Sequence, residues 1–196
     1  MLQGSHLLLS SSIELTTEHG ALLVQHFWCQ DGECLIASNP KVETSPPFVR
    51  IHSSCVFSES LGSMDCDCSL QLSRALEKIC KEGGYVLYRF EEGRGTGLKN
   101  KIEAIRVQQR DGVDTRTAFE ALGFQPDPRT YSVAIKALEA IGIGQEVLLN
   151  TNNPNKIAAL DKAGFVVKRV NLGIERDRRV QAYFDQKKAC LGHMDD

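Results

Sequence analysis

Between Cys55 and Cys68 the chain reads C-V-F-S-E-S-L-G-S-M-D-C-D-C, and three thiols so close together form a soft-metal donor set rather than a disulfide pattern. Cys66 and Cys68, one residue apart, can offer two thiolates to one zinc ion, and Cys55 can return as the third. In a catalytic site the fourth tetrahedral position then holds water. In a structural site His52, three residues before Cys55, would close a Cys3His set instead. Ordinary buried cysteines are the plain alternative. Spacing therefore points to zinc and leaves its role open.

Three other stretches carry polar chemistry. Glu92-Gly93-Arg94-Gly95-Thr96-Gly97 lies between a predicted strand and a predicted helix, where glycines let backbone amides approach an anion. Arg94 suits a phosphate, and Glu92 suits a donor edge such as guanine N1 and its amino group. The run is neither a Walker loop nor G-x-G-x-x-G, so a plain strand-to-helix turn is the other reading. Asp127-Pro128-Arg129 sets an acid and a base on a rigid loop, equally readable as a surface salt pair or a helix cap. Thr151-Asn152-Asn153-Pro154-Asn155-Lys156 ends a strand and opens a helix, as a phosphate or ribose cradle or as an N-cap.

The elements that must hold these residues follow from periodicity. Two apolar runs from Gly20 around Asp31-Gly32 predict an antiparallel hairpin, and Phe48 to His52 a short strand leading to Cys55. Leu72, Ala75, Leu76, Ile79 and Cys80 predict a helix stopped by Gly83-Gly84. A strand is expected over Tyr85–Phe90, then helices over about Leu98–Arg110, Thr115–Leu122 and Tyr131–Ile141. Glu146–Thr151 reads as a strand, Lys156–Ala163 as a helix, Phe165–Val170 as a strand and Glu175–His193 as a helical tail. The fold class is α/β (α+β): a mixed sheet with flanking helices, whose β-rich N-terminal part carries the zinc site. Residues 1–12 are set aside as a leader or tag remnant, and 13–196 form a single domain.

With 196 residues, 42% of them hydrophobic and 24% charged, the chain has the make-up of an ordinary globular protein. A net charge of -2 gives no reason to expect nucleic-acid binding, although a local Arg/Lys cluster can still take a small anion. Seven cysteines, odd in number and unevenly spaced, fit a reducing compartment, so a cytoplasmic location is expected. No run reaches the roughly 20 apolar residues that span a bilayer, and no membrane partner is expected.

Taken in order, these features resemble one enzyme family. Arg50-Ile51-His52-Ser53, the C-x10-C-x-C set, Gln71, E-G-R-G-x-G, Asn100-Lys101-Ile102, Asp114-Thr115, Leu122-Gly123-Phe124, Asp127-x-Arg129 and T-N-N-P are similar to the GTP cyclohydrolase II pattern from about Phe48 to Leu172. The resemblance implies a zinc-dependent hydrolase that opens the imidazole ring of GTP and releases formate and pyrophosphate. Its product would be the diaminopyrimidine ribosylamino phosphate that starts riboflavin synthesis. Carried over by position, Cys55, Cys66 and Cys68 hold one zinc per subunit. Arg129 matches the residue proposed to attack the α-phosphate and Asp127 its proton acceptor, with simple phosphate stabilisation as another role for Arg129. Arg50, Gln71, Glu92, Gly93, Arg94, Thr115, Thr151 and Lys156 match nucleotide contacts. Magnesium on the phosphates and a homodimer are implied as well.

The chain departs from that pattern around the zinc. Ser54 stands where the family carries Glu, Asp65 where it carries a basic residue, Ser69 where it carries Gly, and Ile105 where a tyrosine assists the hydrolytic steps. Three readings follow: full GTP cyclohydrolysis; a diverged enzyme that stops at the formamidopyrimidine or takes another nucleotide in secondary metabolism; or a zinc-stabilised nucleotide binder without turnover.

Overall fold

A computed structural model describes residues 8–39, 41–42, 44–125, 127–173, 185, 188–189, 192 and 194. The expected tail helix over Glu175–His193 lies largely outside the described residues. Eight strands form one mixed sheet: β1 (Leu8–Leu9), β2 (Ile13–Thr17), β3 (Gly20–Cys29), β4 (Gly32–Ser38), β5 (Phe48–Ser53), β6 (Tyr85–Arg89), β7 (Glu146–Asn150) and β8 (Val166–Val170). Their order is β1-β3-β4-β6-β5-β7-β8, with β2 beside β1 on the same edge of β3. Pairing is antiparallel from β1 and β2 through to β6, and parallel from β6 through β5 and β7 to β8.

The β3–β4 hairpin turns on Gln30–Asp31, because Cys29 pairs with Gly32 and glycine opens the return strand at φ +131°. β1 lies inside the segment 1–12, with Leu8 opposite Trp28 and Leu9 opposite Phe27.

Six helices accompany the sheet: α1 (Val56–Glu59), α2 (Cys68–Glu82), α3 (Leu98–Asp111), α4 (Thr115–Ala121), α5 (Ser132–Ala140) and α6 (Pro154–Lys162). α2 begins earlier than the apolar spacing suggests, because in its first turn, Cys68-Ser69-Leu70-Gln71, Ser69 and Gln71 are polar and Leu70 is exposed. α6 starts at Pro154 rather than Lys156: Asn153 caps it by accepting the Asn155 amide at 2.9 Å, and proline takes the first helical position, where its missing N–H costs nothing.

Alternation along β5 decides which residues meet which layer. Val49 and Ile51 join Leu87, Val147 and Leu149 under α5 and α6, all fully buried. Phe48 turns the other way, onto Val86 and the Ala75 and Ile79 side of α2. Burying each such aliphatic side chain contributes roughly 1.5–3 kcal/mol. α3 and α4 pack on each other through Ala104, Val107, Ala118 and Phe119. From β5 the chain crosses to β6 on one side, then returns to β7 on the other. The carboxyl ends of these parallel strands therefore border a switch-point crevice, where open α/β sheets bind ligands. Among the described residues no helix is long and apolar enough to cross a membrane.

Candidate active site and metal centre

A cleft of about 440 Å³ opens at that crevice. β5 delivers Arg50, His52 and then Cys55; the loop after β6 delivers Gly93 and Arg94; the loop after β7 delivers Thr151 and α6 Lys156; and α3 with α4 adds Lys101, Ile105 and Thr115. Arg94 enters in the left-handed region at φ 58° between two glycines, with its guanidinium 5.5 Å from the Phe119 ring. A non-glycine residue held there stores about 1–3 kcal/mol, a cost seen mainly at functional loops.

The sulfurs of Cys55, Cys66 and Cys68 all lie within 4.8 Å of one another. Cys55 Sγ and Cys66 Sγ are 3.7 Å apart, close to the ~3.8 Å edge of a tetrahedron with zinc–sulfur bonds of ~2.3 Å. The donor set and its spacing therefore fit zinc. Hydrogen bonds from the Cys66 and Cys68 thiols, with the Lys101 charge adding to them, hold the Cys55 thiol far below its ordinary range. Cys68 opens α2, whose N-terminal dipole favours a thiolate.

His52 does not join this cluster. Arg50 Nε donates to its Nδ1 at 3.3 Å, so Nε2 carries the proton and meets Glu59 Oε1 at 2.8 Å. Glu59 also accepts the Tyr88 hydroxyl at 2.6 Å and the Cys55 amide at 3.1 Å. His52 thus braces the zinc loop through Glu59, and with both ring nitrogens engaged it offers no lone pair for a Cys3His set.

The other part of the cleft is cationic. Arg50 is 8% exposed and donates to Asn150 Oδ1 and Gln71 Oε1, each at 2.5 Å. Lys156 is buried, and its ammonium donates to the Ile51 carbonyl at 2.6 Å. Burial first, and then the charges of Arg129, Arg50 and Arg89, pull its pKa well below the ordinary value. Arg129 and Asp127 form a two-pronged pair, Nε to Oδ1 at 2.6 Å and Nη2 to Oδ2 at 2.7 Å. Burial works against the charge on each, but their mutual hydrogen bonds and attraction win, leaving Arg129 above and Asp127 below the usual range.

Of the thirteen residues singled out by sequence, eleven line the cleft: Cys55, Cys66, Cys68, Arg50, Gln71, Gly93, Arg94, Thr115, Thr151, Lys156 and Arg129. Asp127 stands behind Arg129. Glu92 stands behind the loop, accepting the Val56 amide at 2.5 Å and the Lys101 ammonium at 2.6 Å. Sequence reasoning gave no role to Glu59, Lys101, Asn150 or Asn153. Of these, Lys101 and Asn153 lie in quoted motifs, and the stretch holding Asn153 reads as a phosphate or ribose cradle or as a cap. Asn153 Nδ2 reaches the Tyr131 hydroxyl at 3.1 Å and Asp127 at 3.4 Å.

Acid sensitivity follows from this arrangement. Burial lowers His52 from 6.5 to about 4, against the pull of its Glu59 hydrogen bond. The unfolded chain takes up that proton near 6.5 and the folded chain only near 4. The unfolded state therefore binds more protons across the interval, and stability falls as pH drops through it. Denaturant midpoints, measured with a chelator present so that protons do not compete with zinc, should fall steadily from pH 7 to 4.5. Midpoints that stay flat there would contradict a neutral buried His52.

Over residues 9–171 the chain matches the family described as GTP cyclohydrolase II. A GTP cyclohydrolase-2 of Helicobacter pylori (strain Shi470) is 42% identical over 189 residues, covering 94% of this chain and 96% of that protein. A GTP cyclohydrolase-2 of Haemophilus influenzae (strain PittGG) is 39% identical over 191 residues, covering 94% and 88%. Another, from Helicobacter acinonychis (strain Sheeba), is 46% identical over 148 residues, 76% of each chain. Because the match runs through the cysteine loop and both cationic loops as well as the sheet that carries them, this chain belongs to the GTP cyclohydrolase II family.

Proposed function

We propose that this chain is a hydrolase that opens the imidazole ring of GTP, releasing formate and pyrophosphate and leaving a diaminopyrimidine ribosylamino phosphate for riboflavin synthesis. The observation that carries this reading is that one cleft is lined both by a zinc-competent cysteine trio and by the buried Arg50 and Lys156 with the part-buried Arg129. Purine chemistry and triphosphate chemistry need those two halves together. Zinc held by Cys55, Cys66 and Cys68 supplies Lewis-acid activation of water near neutral pH. Lys156, Arg50 and Arg94 hold phosphate oxygens, and magnesium accompanies the triphosphate. Gln71, Thr115 and Thr151 orient the nucleotide, Gly93 lets the backbone approach it, and Glu92, set behind the loop, holds that loop through Lys101 and the Val56 amide.

Asp127 keeps Arg129 charged, and a charged guanidinium is no nucleophile. In this proposal Arg129 instead stabilises the phosphate charge that develops as pyrophosphate leaves, and Asp127 fixes its fork. A homodimer, as the family resemblance implies, in the cytoplasm, as the cysteine usage suggests, completes the reading.

A second reading has its own observation. Ile105 lines the cleft where the family carries tyrosine, together with Ser54 and Asp65, and isoleucine offers no proton for the hydrolysis that frees formate. This chain would then open the ring, retain the formyl carbon and release pyrophosphate, or act on a different nucleotide. Incubating zinc-loaded protein with GTP and Mg²⁺ and quantifying the products separates the cases. The main reading expects formate and pyrophosphate in equal amounts. Pyrophosphate without formate, beside a product of formamidopyrimidine mass, selects the second. Untouched GTP beside another purine nucleotide that is opened overturns the substrate assignment.

A further inference from the structure

Lys101 is unexplained by phosphate binding, yet it is the most constrained ammonium beside the thiolates. It lies on the first turn of α3, anchored by its amide to the Gly97 carbonyl at 3.1 Å. Its Nζ is 3.3 Å from Cys55 Sγ, 2.6 Å from Glu92 Oε2 and 4.6 Å from the centre of the Phe57 ring. The other Glu92 oxygen accepts the amide of Val56, the residue directly after Cys55. A closed circuit results: Cys55 sulfur, Lys101, Glu92, and back to the backbone beside Cys55. The Lys101 and Glu92 side chains are only 17% and 15% exposed, so water screens the circuit weakly.

We propose that Lys101 is the positioning residue of the metal centre. Aimed by Glu92 and the Phe57 ring, its ammonium donates an N–H···S hydrogen bond to the Cys55 thiolate, fixes that ligand and draws electron density off its sulfur. The arrangement is the lysine counterpart of a carboxylate orienting a metal-bound histidine, where outer partners set ligand basicity. Three thiolates around a dication leave one excess negative charge, and an ammonium against one of the sulfurs stabilises that state over protonated, metal-free thiols. The inference rests on zinc occupying the cysteine trio. It adds that metal affinity and ligand electronics are tuned from the glycine-rich loop, so that the Glu92 loop and the metal are one mechanical unit.

The test uses the full chain loaded with zinc or with cobalt(II). Lys101→Met keeps a side chain of similar length beside Phe57 and removes the donor. Competition against a chromophoric chelator should show roughly 10–100-fold weaker zinc binding, the usual cost of losing an outer-shell partner. In the cobalt form the thiolate-to-metal charge-transfer band should move to longer wavelength, because the unbonded sulfur gives up its electron more easily. Lys101→Arg should restore the band towards its original position. Glu92→Gln, which leaves the ammonium in place but loosens its aim, should shift the band by a smaller amount. A merely structural Lys101–Glu92 pair would lower thermal stability without moving the band. Zinc affinity and a cobalt band in Lys101→Met equal to those of the unchanged protein would overturn the proposal. Should Lys101→Met not fold, an unmoved band in Glu92→Gln overturns it equally. An unchanged protein that binds neither zinc nor cobalt overturns the zinc reading itself, which keeps the two failures apart.

Discussion

Replacing Cys66 with serine should remove zinc and ring opening together, while the nucleotide still binds. Cys66 Sγ is one of three sulfurs within 4.8 Å of one another, and the pair left in Cys66→Ser, Cys55 and Cys68, cannot complete a protein site of three thiolates. A serine hydroxyl remains protonated near neutral pH and is a poor, hard substitute for a soft thiolate. Metal Lewis acidity is worth several kcal/mol at a transition state, so turnover should fall by at least about a thousandfold. Affinity for the triphosphate should change little, because Arg50, Arg129 and Lys156 draw on the sheet and on Asp127 rather than on Cys66. Metal analysis, a turnover assay and calorimetry with a non-hydrolysable GTP analogue give the three readouts. A fully active, metal-free Cys66→Ser protein would refute the role of zinc altogether.

The converse substitution, Lys156→Met, should leave zinc untouched, stabilise the ligand-free fold and weaken nucleotide binding. Lys156 is buried among Arg129, Arg50 and Arg89, and the fold depresses its pKa, so it opposes the charge that the unfolded chain carries freely. Methionine fills the same space without that cost. Losing the bond to the Ile51 carbonyl offsets part of the gain, leaving a net stabilisation of about 1 kcal/mol, the pattern of sites that trade stability for function. A phosphate oxygen brought to this position favours the charged lysine and pairs with it. Removing that pair should cost about 2–5 kcal/mol of binding, read as roughly a thirtyfold or greater loss of affinity. Thermal unfolding and calorimetry decide it. A destabilised variant with normal nucleotide affinity would make Lys156 a structural residue instead.

Local signals survived the passage from sequence to structure, and non-local ones did not. The C-x10-C-x-C spacing could be read because the α1–α2 turn brings the three sulfurs together over a short loop; Ser58 Oγ ties that turn by accepting the Ser69 amide at 3.1 Å. The β3–β4 hairpin was equally plain, displaced by one residue because Gly32 opens the strand instead of closing the turn. β1 and β2 gave little signal, since Leu8, Ile13 and Leu15 are exposed edge residues and show no buried face. Nothing in the residues announces that β5 lies between β6 and β7, because that order depends on crossovers through α2 and α3–α5. The same limit applies to the site. His52 looked like a metal ligand until Arg50 and Glu59 took both its ring nitrogens. Glu92 looked free for a ligand edge, but the packing of α3 against its loop supplies Lys101 as a partner.

In the proposed function the cysteine trio and the cations Arg50, Arg129 and Lys156 make one site that breaks the purine ring of GTP. Carbon-13 placed at C8 of GTP tests it directly by nuclear magnetic resonance during incubation with the zinc-loaded protein and Mg²⁺. The label is predicted to leave its purine resonance and appear as free formate, or as a formyl group in the second reading, while Cys66→Ser leaves it in place. A label that remains in intact guanine through prolonged incubation with zinc-loaded, folded protein would contradict the account.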